Sequence, residues 1–152
     1  EDELAELRSQ HFGFIFQNFN LIPTLTALEN VALSAELNEI NGSKKKSMEL
    51  LSLVGLVNRN HHYPSQLSGG EQQRLALARA FINEPSIVLA DEPTGNLDSQ
   101  NSKRILDLMI DLHRNKKSTI ALVTHEPDVA KKAERTIVMD DGKIIQDSMP
   151  TV

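Results

Sequence analysis

The sequence contains no cysteine and no tryptophan, and only 4% of its residues are aromatic. The lack of cysteine excludes disulfide bonds, thiolate zinc sites and cysteine nucleophiles. No apolar run approaches the length that a membrane-spanning helix needs, and the sequence shows no signal peptide. Because the first residue is Glu1 rather than Met, we expect the amino terminus to be a truncation or a processed end.

Positive charge is also scarce relative to negative charge. The chain has 16 Lys and Arg residues against 21 Asp and Glu residues, which gives a formal net charge of −5. This balance argues against bulk electrostatic binding of nucleic acid or anionic lipid, although a local basic patch is compatible with it. With 152 residues, of which 39% are hydrophobic, the chain has the composition of an ordinary globular domain with a sizeable core.

Hydrophobic periodicity predicts a mostly helical first half and a second half in which strands and helices alternate. The predicted helices are one capped by Thr26 and ending near Leu37, then Ser43–Val57, Glu71–Ile82, Ser99–His113 and Pro127–Ala133. The predicted strands are Phe12–Phe16, Ser86–Ala90 and Thr119–Val123, with a hairpin of Thr136–Met139 and Lys143–Gln146 around Asp140–Gly142. The apolar strands of the second half are typical of a parallel sheet buried on both faces, which predicts an α/β layered core.

The most specific motif is Leu67-Ser68-Gly69-Gly70-Glu71-Gln72-Gln73-Arg74, which stands at the start of a predicted helix. Glycines at a helix start let backbone N–H groups approach a ligand closely, and the helix N-terminus adds partial positive charge. The segment therefore predicts an anion site, to which Ser68 adds a hydroxyl. A helix cap followed by a turn explains this segment, taken alone, about equally well.

Two adjacent carboxylates, Asp91 and Glu92, follow the apolar strand that ends at Ala90. Ligands bind at the carboxyl ends of the strands in open α/β sheets. In phosphoryl-transfer enzymes an acid at this place holds Mg²⁺, and a neighbouring residue orients the attacking water. Ordinary solvated acids at a strand end are the alternative, which the adjacency of the two carboxylates weakens.

Three weaker signals complete the set. Gln17 follows the first predicted strand, His125 follows the strand Thr119–Val123, and Asp98 precedes a predicted helix. Each of them alone fits a structural or solvated role, such as an N-cap in the case of Asp98. Together with the acids after Ala90, Gln17 and His125 give three apolar strands that each end in a polar residue suited to phosphate. With the Ser-Gly-Gly motif between the first two strands, this arrangement predicts a phosphate-binding site.

In this order the motifs resemble those of the nucleotide-binding domains of ABC transporters, and the resemblance covers nearly the whole chain. Gln17 matches the Q-loop, and Leu67–Glu71 matches the signature motif, with Glu71 where many members have Gln. Leu89–Glu92 matches the Walker B strand with its catalytic glutamate. Asn96–Asp98 matches the D-loop, and His125 matches the switch histidine.

The family's phosphate-binding loop, G-x-x-x-x-G-K-[ST], is absent from this sequence. The resemblance places that loop upstream of the Q-loop, and we expect the parent protein to contain it. The implied fold is α/β, with an incomplete parallel sheet core of the P-loop NTPase type and an inserted helical signature subdomain. Residues 1–152 would form one ABC ATPase domain truncated at its N-terminus, with the helical subdomain at 18–82 and the Walker B and switch part of the core at 83–152.

The resemblance also implies an ATPase that binds ATP and Mg²⁺. Glu92 would be the general base or would orient the attacking water, and Asp91 would hold Mg²⁺, largely through water. Gln17 would sense both Mg²⁺ and the γ-phosphate, and His125 would contact the γ-phosphate. In the full-length protein these residues would form the catalytic set.

The implied partners are a second ABC subunit, expected to form a homodimer, and transmembrane permease subunits. Asp98 would link the two nucleotide sites, and the helical subdomain would contact the permease at the cytoplasmic face of the cell membrane as a peripheral subunit. No nucleic acid is expected as a partner. The residues that would bind the ATP of the partner subunit are Ser68, Gly69, Gly70 and Glu71.

Two alternatives stay open at the level of sequence. A soluble ABC ATPase of DNA repair or translation would carry long coiled-coil insertions or tandem domains, but the segment between Gln17 and Leu67 is short and has no heptads. A catalytically degenerate partner domain would contribute its signature without binding nucleotide. Segments such as Ala90–Ser99 are similar to those of the lipoprotein-releasing and macrolide-exporter branch, which favours export or extrusion of a lipoprotein or peptide.

Overall fold

The computed structural model describes residues 2–148. Its helices are α1 (Asp2–His11), α2 (Ala27–Leu37), α3 (Ser43–Leu53), α4 (Gly69–Phe81), α5 (Ser99–Lys116) and α6 (Pro127–Ala130). Its strands are β1 (Phe12–Phe16), β2 (Ile87–Asp91), β3 (Thr119–Val123), β4 (Thr136–Asp140) and β5 (Lys143–Ser148). None of the helices in this range is long and apolar enough to cross a membrane. The chain divides into one unit up to Leu122 and a second unit from Val123.

The first unit contains a sheet with the strand order β1-β2-β3. Strands β1 and β2 run parallel, with Phe12 opposite Ile87 and Phe16 opposite Asp91. The parallel sheet predicted from the apolar strands is thus confirmed. The register matters for function because it brings the carboxyl ends of β1 and β2 to the same edge of the sheet.

Burial alternates along the strands, so one face of the sheet is covered and the other is open among the described residues. Ile15, Val88 and Ala90 are buried in the core, whereas Phe14 and Leu89 remain 37% and 36% exposed. The apolar strands, whose composition is typical of burial on both faces, are thus covered on one face only among the described residues. The described helices cover only the face that carries Ile15 and Val88, and no described element covers the face with Phe14.

Helix α4 lies at the centre of the first unit. Leu75, Ala76, Leu77 and Ala78 follow one another along the helix and are all fully buried, which means that the helix is enclosed around its whole circumference. It packs against β1 and against α2, α3 and α5. A helical turn that is apolar and buried all round is typical of a protein core rather than of a surface layer.

The close packing of α4 on the sheet depends on Gly13 in β1. A Cβ atom at this position would lie 2.5 Å from the backbone carbonyl oxygen of Ala80 and 3.2 Å from the Pro85 ring. Glycine in a strand interior often marks such a close approach of another backbone. Gly13 therefore sets the distance between α4 and β1.

Three helix ends differ by three or more residues from those predicted, and one of them is the end of α5, which lies at Lys116 instead of His113. Helix α3 ends at Leu53 instead of Val57, because Gly55 adopts a left-handed φ of 74°. The N–H of Leu56 donates to the carbonyl of Leu51 at 2.7 Å, and the N–H of Gly55 donates to Ser52, which together form a Schellman motif. Helix α6 is also shorter than predicted, ending at Ala130.

Local capping and turn signals were predicted correctly elsewhere. Thr26 caps α2 and exchanges hydrogen bonds with Glu29, as expected for a capping box. In the second unit, β4 and β5 pair antiparallel around Asp141 and Gly142, whose φ angles of 45° and 73° are those of a two-residue hairpin turn.

We expect Gly13→Ala to lower the free energy of unfolding by about 1–3 kcal/mol, because the added methyl group would force α4 away from β1. Equilibrium unfolding in urea measures the loss. The matched control is Gly69→Ala, where the added methyl group would meet no atom closer than 3.6 Å. Equal stability of the two variants would show that the contact between Gly13 and Ala80 does not limit packing.

Candidate functional site

The carboxyl edge of the sheet collects the polar residues that follow β1 and β2. Since Phe16 is paired with Asp91, the next residues, Gln17 and Glu92, also leave the sheet side by side. Asp91 is exposed and Glu92 is half-buried. The predicted grouping of Gln17 with the two acids at one edge is therefore what the strand register produces.

Glu92 has a left-handed backbone, with a φ of 44°. Residues other than glycine rarely adopt this conformation, and when they do they concentrate at functional sites. The turn that follows is closed by a hydrogen bond from the N–H of Gly95 to the carbonyl of Glu92 at 3.0 Å. The carboxylate after β2 is thus placed by a defined turn rather than by an open loop.

The loop after β1 and the loop after β2 are joined through Gln17 and Asn96. The Gln17 amide nitrogen Nε2 donates to Oδ1 of Asn96 at 3.2 Å, and Nδ2 of Asn96 donates to the backbone carbonyl of Gln17 at 3.0 Å. The same Nδ2 donates to Oδ1 of Asn18 at 3.1 Å. A Cβ atom at Gly95 would lie 2.6 Å from Gln17 Nε2, so the glycine makes room for the amide.

The N-terminus of α4 is closed by a capping box. The N–H of Ser68 donates to the Glu71 carboxylate at 2.8 Å, and the N–H of Glu71 donates to the Ser68 hydroxyl at 3.3 Å. The hydrogen bond from the Ser68 backbone is the main cause that holds the pKa of Glu71 below its usual value, and the positive charges of Arg59 and Arg74 act in the same direction. Glu71 is thus an ionised residue engaged within its own chain.

The two glycines of the motif have different surroundings. A Cβ atom at Gly70 would lie 2.7 Å from the side-chain oxygen of Asn101 in the first turn of α5. At Gly69 the nearest atoms would be Leu97 Cδ2 at 3.6 Å and Phe19 Cζ at 3.8 Å, which are ordinary contact distances. Packing within the chain therefore explains a glycine at 70 but does not explain one at 69.

The N–H groups of Gly69 and Gly70 stand at the first two positions of α4, where backbone donors have no partner within the helix. They point out of the helix N-terminus, where the partial positive charge of the helix dipole attracts anions. The anion site predicted at the Ser-Gly-Gly motif is consistent with this geometry.

Asp98 caps the neighbouring helix α5. One of its carboxylate oxygens accepts the N–H groups of Gln100 and Asn101 at 3.0 Å each, and the other accepts the Asn101 side-chain amide. The hydrogen bond from the Asn101 backbone is the main reason that the pKa of Asp98 lies below its usual value. The N-cap interpretation of Asp98 is confirmed within the chain, and its link to a second site remains a prediction.

Sequence reasoning missed three residues that hold loops of the first unit: Gln73 and Arg79 of α4, and Asn30 of α2. Gln73 is fully buried and donates from Nε2 to the carbonyl of Pro93 at 2.6 Å, directly after Glu92. Asn30 of α2 was also missed; it is buried and its amide bonds to backbone groups of the loop that leads into α2. A buried amide that pairs with backbone is costly to leave unpaired, so both side chains fix the loops that they contact.

The second missed residue of α4 is Arg79, which clamps the loop after β1. Its guanidinium donates to the backbone carbonyls of Asn20 and of Phe19, the latter at 2.9 Å. Both of these residues have left-handed φ angles, 48° and 63°. Burial lowers the pKa of Arg79, yet an arginine stays charged in proteins, and its two hydrogen bonds satisfy that charge. The only signal in the sequence was a charged residue within the apolar stretch Leu75–Phe81.

His125 follows β3 and belongs to the second unit. Strand β3 is the neighbour of β2 in the sheet. The role of His125 at a phosphate remains a prediction.

The residues at the carboxyl edge fit part of a Mg²⁺ and nucleotide site. Mg²⁺ takes oxygen ligands, keeps several waters and is usually held by one or two protein groups together with substrate phosphates. The Asp91 carboxylate and the Gln17 amide oxygen belong to this class of ligand. The described residues contain no cluster of three or more His, Cys, Asp or Glu side chains that could hold a metal by itself.

Comparison with known proteins identifies the relatives of this chain. A family model described as ABC transporter matches residues 2–95. The lipoprotein-releasing system ATP-binding protein LolD of Cytophaga hutchinsonii is 48% identical over 144 residues, which cover 93% of this chain and 66% of LolD. The macrolide export ATP-binding/permease protein MacB of Chlorobaculum tepidum is 47% identical over 148 residues, which cover 97% of this chain and 23% of MacB. The chain thus spans at most about two thirds of these curated relatives.

A solved structure shares the fold. The dimeric structure of MJ0796, a bacterial ABC transporter cassette, matches with a TM-score of 0.87 at 42% identity, over 98% of this chain and 67% of that one. A dimeric structure of the same cassette in a post-hydrolysis state, bound to ADP and Pi, gives the same TM-score at 41% identity. The predicted α/β fold with an incomplete parallel sheet core is confirmed.

We expect Arg79→Met to cost about 2–3 kcal/mol of unfolding free energy, because two carbonyls lose a charged donor while the aliphatic stem is kept. We also expect faster amide hydrogen exchange in residues 17–25. Arg104→Met, at an exposed position of α5, is the control. Unchanged exchange in this loop, with a loss of stability elsewhere, would show that Arg79 does not hold the loop.

Proposed function

Because this chain belongs to the ABC transporter family, we propose that it forms most of an ATP-binding subunit whose hydrolysis of ATP drives transport by membrane subunits. The observation that carries the proposal is the carboxyl edge of the sheet, where strand pairing places Gln17 beside Asp91 and Glu92. Oxygen ligands for Mg²⁺ and a base for water then stand at one edge, as phosphoryl transfer requires.

In this proposal Glu92 accepts the proton of the attacking water or orients it, and its turn after β2 fixes its position. Asp91 holds Mg²⁺, largely through water, and Gln17 contacts both Mg²⁺ and the γ-phosphate. His125 contacts the γ-phosphate. Bound ATP and Mg²⁺ supply the phosphoryl group and the positive charge that neutralises its oxygens.

The signature residues Ser68, Gly69 and Gly70 bind the ATP of a second subunit, and Asp98 links the two sites. Support comes from Gly69, because packing within the chain leaves room for a side chain there and does not require glycine. Further support comes from the N–H groups at the start of α4, which have no partner within the helix. Glu71 contributes by holding Ser68 in its capping box. The related cassette MJ0796 forms dimers.

We further propose that the subunit acts at the cytoplasmic face of the membrane, where helices α2 and α3 contact a permease. LolD belongs by its name to a lipoprotein-releasing system and MacB to macrolide export, which supports a role in export or extrusion. Both relatives are transporter proteins, which does not favour an ATPase of DNA repair or translation.

Glu92→Gln in the complete protein should retain ATP affinity within about threefold and lose turnover by at least about 100-fold, because the amide keeps the shape but not the base. It should also accumulate an ATP-bound dimer, measured by light scattering. Glu84→Gln is a matched control, since Glu84 has a similar φ of 49° and lies outside the site. Near-normal turnover of the Glu92 variant would remove the role assigned to Glu92.

Gly69→Asp should prevent ATP-dependent dimerisation in the Glu92→Gln background without loss of stability. An acid in the first turn of a helix favours folding, whereas its charge repels the phosphate of the partner site. Ser43→Asp places the same charge at the same position of α3 and should dimerise normally. Normal dimers of the Gly69 variant would mean that the Ser-Gly-Gly segment is only a helix cap.

A further inference from the structure

The contacts between Gln17 and Asn96 determine which end of the Gln17 amide is available to a ligand. A side-chain amide has an oxygen that accepts hydrogen bonds and can bind metal, and an NH₂ group that can do neither. The orientation of such a group is set by its hydrogen-bond partners. The neighbours of Gln17 therefore determine which of its amide atoms faces the proposed Mg²⁺ site.

One backbone carbonyl decides the orientation of both amides. The carbonyl oxygen of Gln17 can only accept, so the atom of Asn96 that lies 3.0 Å away must be the donor Nδ2. The other end of the Asn96 amide, Oδ1, then faces the Gln17 side chain at 3.2 Å and can only accept. Gln17 must therefore turn its NH₂ group toward Asn96, which leaves Oε1 as the end that Asn96 does not hold.

Two further contacts support this arrangement. Asn18 accepts the second hydrogen of Asn96 Nδ2 at 3.1 Å, so the donor end of Asn96 is fully used. Gly95 lies so close that a Cβ there would be 2.6 Å from Gln17 Nε2. The loop after β2 therefore forms a fitted recess for one end of the Gln17 amide.

We infer that Asn96 is a positioning residue that fixes the polarity of the Gln17 amide, so that its oxygen is the end offered to Mg²⁺. This inference rests on the proposed function of Gln17 at the Mg²⁺–ATP site. Without Asn96 the amide rotates freely, and a share of the molecules presents NH₂ where a metal needs oxygen. Asn96 thereby acts on Mg²⁺ binding through Gln17 and touches neither the metal nor the nucleotide.

The test measures how much Mg²⁺ strengthens ATP binding. In the complete protein carrying Glu92→Gln, the Kd of ATP is measured by calorimetry with Mg²⁺ and with EDTA, and the ratio of the two values is the Mg²⁺ factor. Asn96→Leu should lower this factor roughly 3- to 10-fold, the worth of about one hydrogen bond, with the Kd in EDTA changed less than about twofold. Asn115→Leu, at an exposed position late in α5, should leave both values unchanged.

A double-mutant cycle separates positioning from a general structural effect. Gln17→Glu presents an oxygen whichever way its carboxylate is turned, so Asn96→Leu should no longer change the Mg²⁺ factor in that background. If Asn96→Leu does not fold, Gly95→Ala replaces it, because the added methyl group displaces the same amide. An equal loss of affinity in Mg²⁺ and in EDTA, or the same loss in the Gln17→Glu background, would overturn the inference.

Gln17→Ala distinguishes this inference from the proposed function beneath it. If Gln17→Ala lowers the Mg²⁺ factor and Asn96→Leu does not, the inference fails and the role of Gln17 stands. If Gln17→Ala leaves the factor unchanged, the proposed role of Gln17 at Mg²⁺ fails, and the inference fails with it.

Discussion

The close approach of α4 to β1, which a side chain at Gly13 would prevent, is the constraint on which the rest of the first unit depends. Helix α4 is enclosed on all sides, so its position is fixed by packing rather than by any single bond. The loops after β1 and β2 are both tied to this one helix. Arg79 holds the loop after β1, Gln73 holds Pro93 after Glu92, and Gly70 lies against Asn101 at the start of α5.

Charge at the site is handled by local backbone groups. Glu71 and Asp98 are ionised caps of adjacent helices, and both carboxylates take up N–H groups at the helix starts. In α4 this leaves the donors of Gly69 and Gly70, which are the two that a phosphate could still reach. The Glu71 carboxylate thus stabilises the start of α4, while the N–H groups of Gly69 and Gly70 remain able to bind a phosphate.

The sequence alone predicted the elements and motifs that depend on local chemistry. The strands, the cap of α2 at Thr26 and the hairpin turn follow from neighbouring residues, and a parallel sheet brings strand ends to one edge without further information. The contacts of Asn96, Gln73 and Arg79 could not be predicted, because each joins residues 20 to 79 positions apart. The end of α3 was missed for a different reason: the left-handed Gly55 stops a helix whose hydrophobic pattern continues to Val57.

The two glycines of the signature differ in what excludes a side chain. At Gly70 the obstacle is Asn101 of the same chain, whereas at Gly69 no atom of the chain comes closer than 3.6 Å. Under the proposed function, a side chain at position 70 would disturb packing within the chain, whereas a side chain at position 69 would act on nucleotide binding. Cellular quality control would remove a misfolded product altered at position 70. Under the same proposal, a product altered at position 69 would persist and compete for the membrane subunits, so that dominant loss of function is expected of changes at 69 and recessive loss of changes at 70.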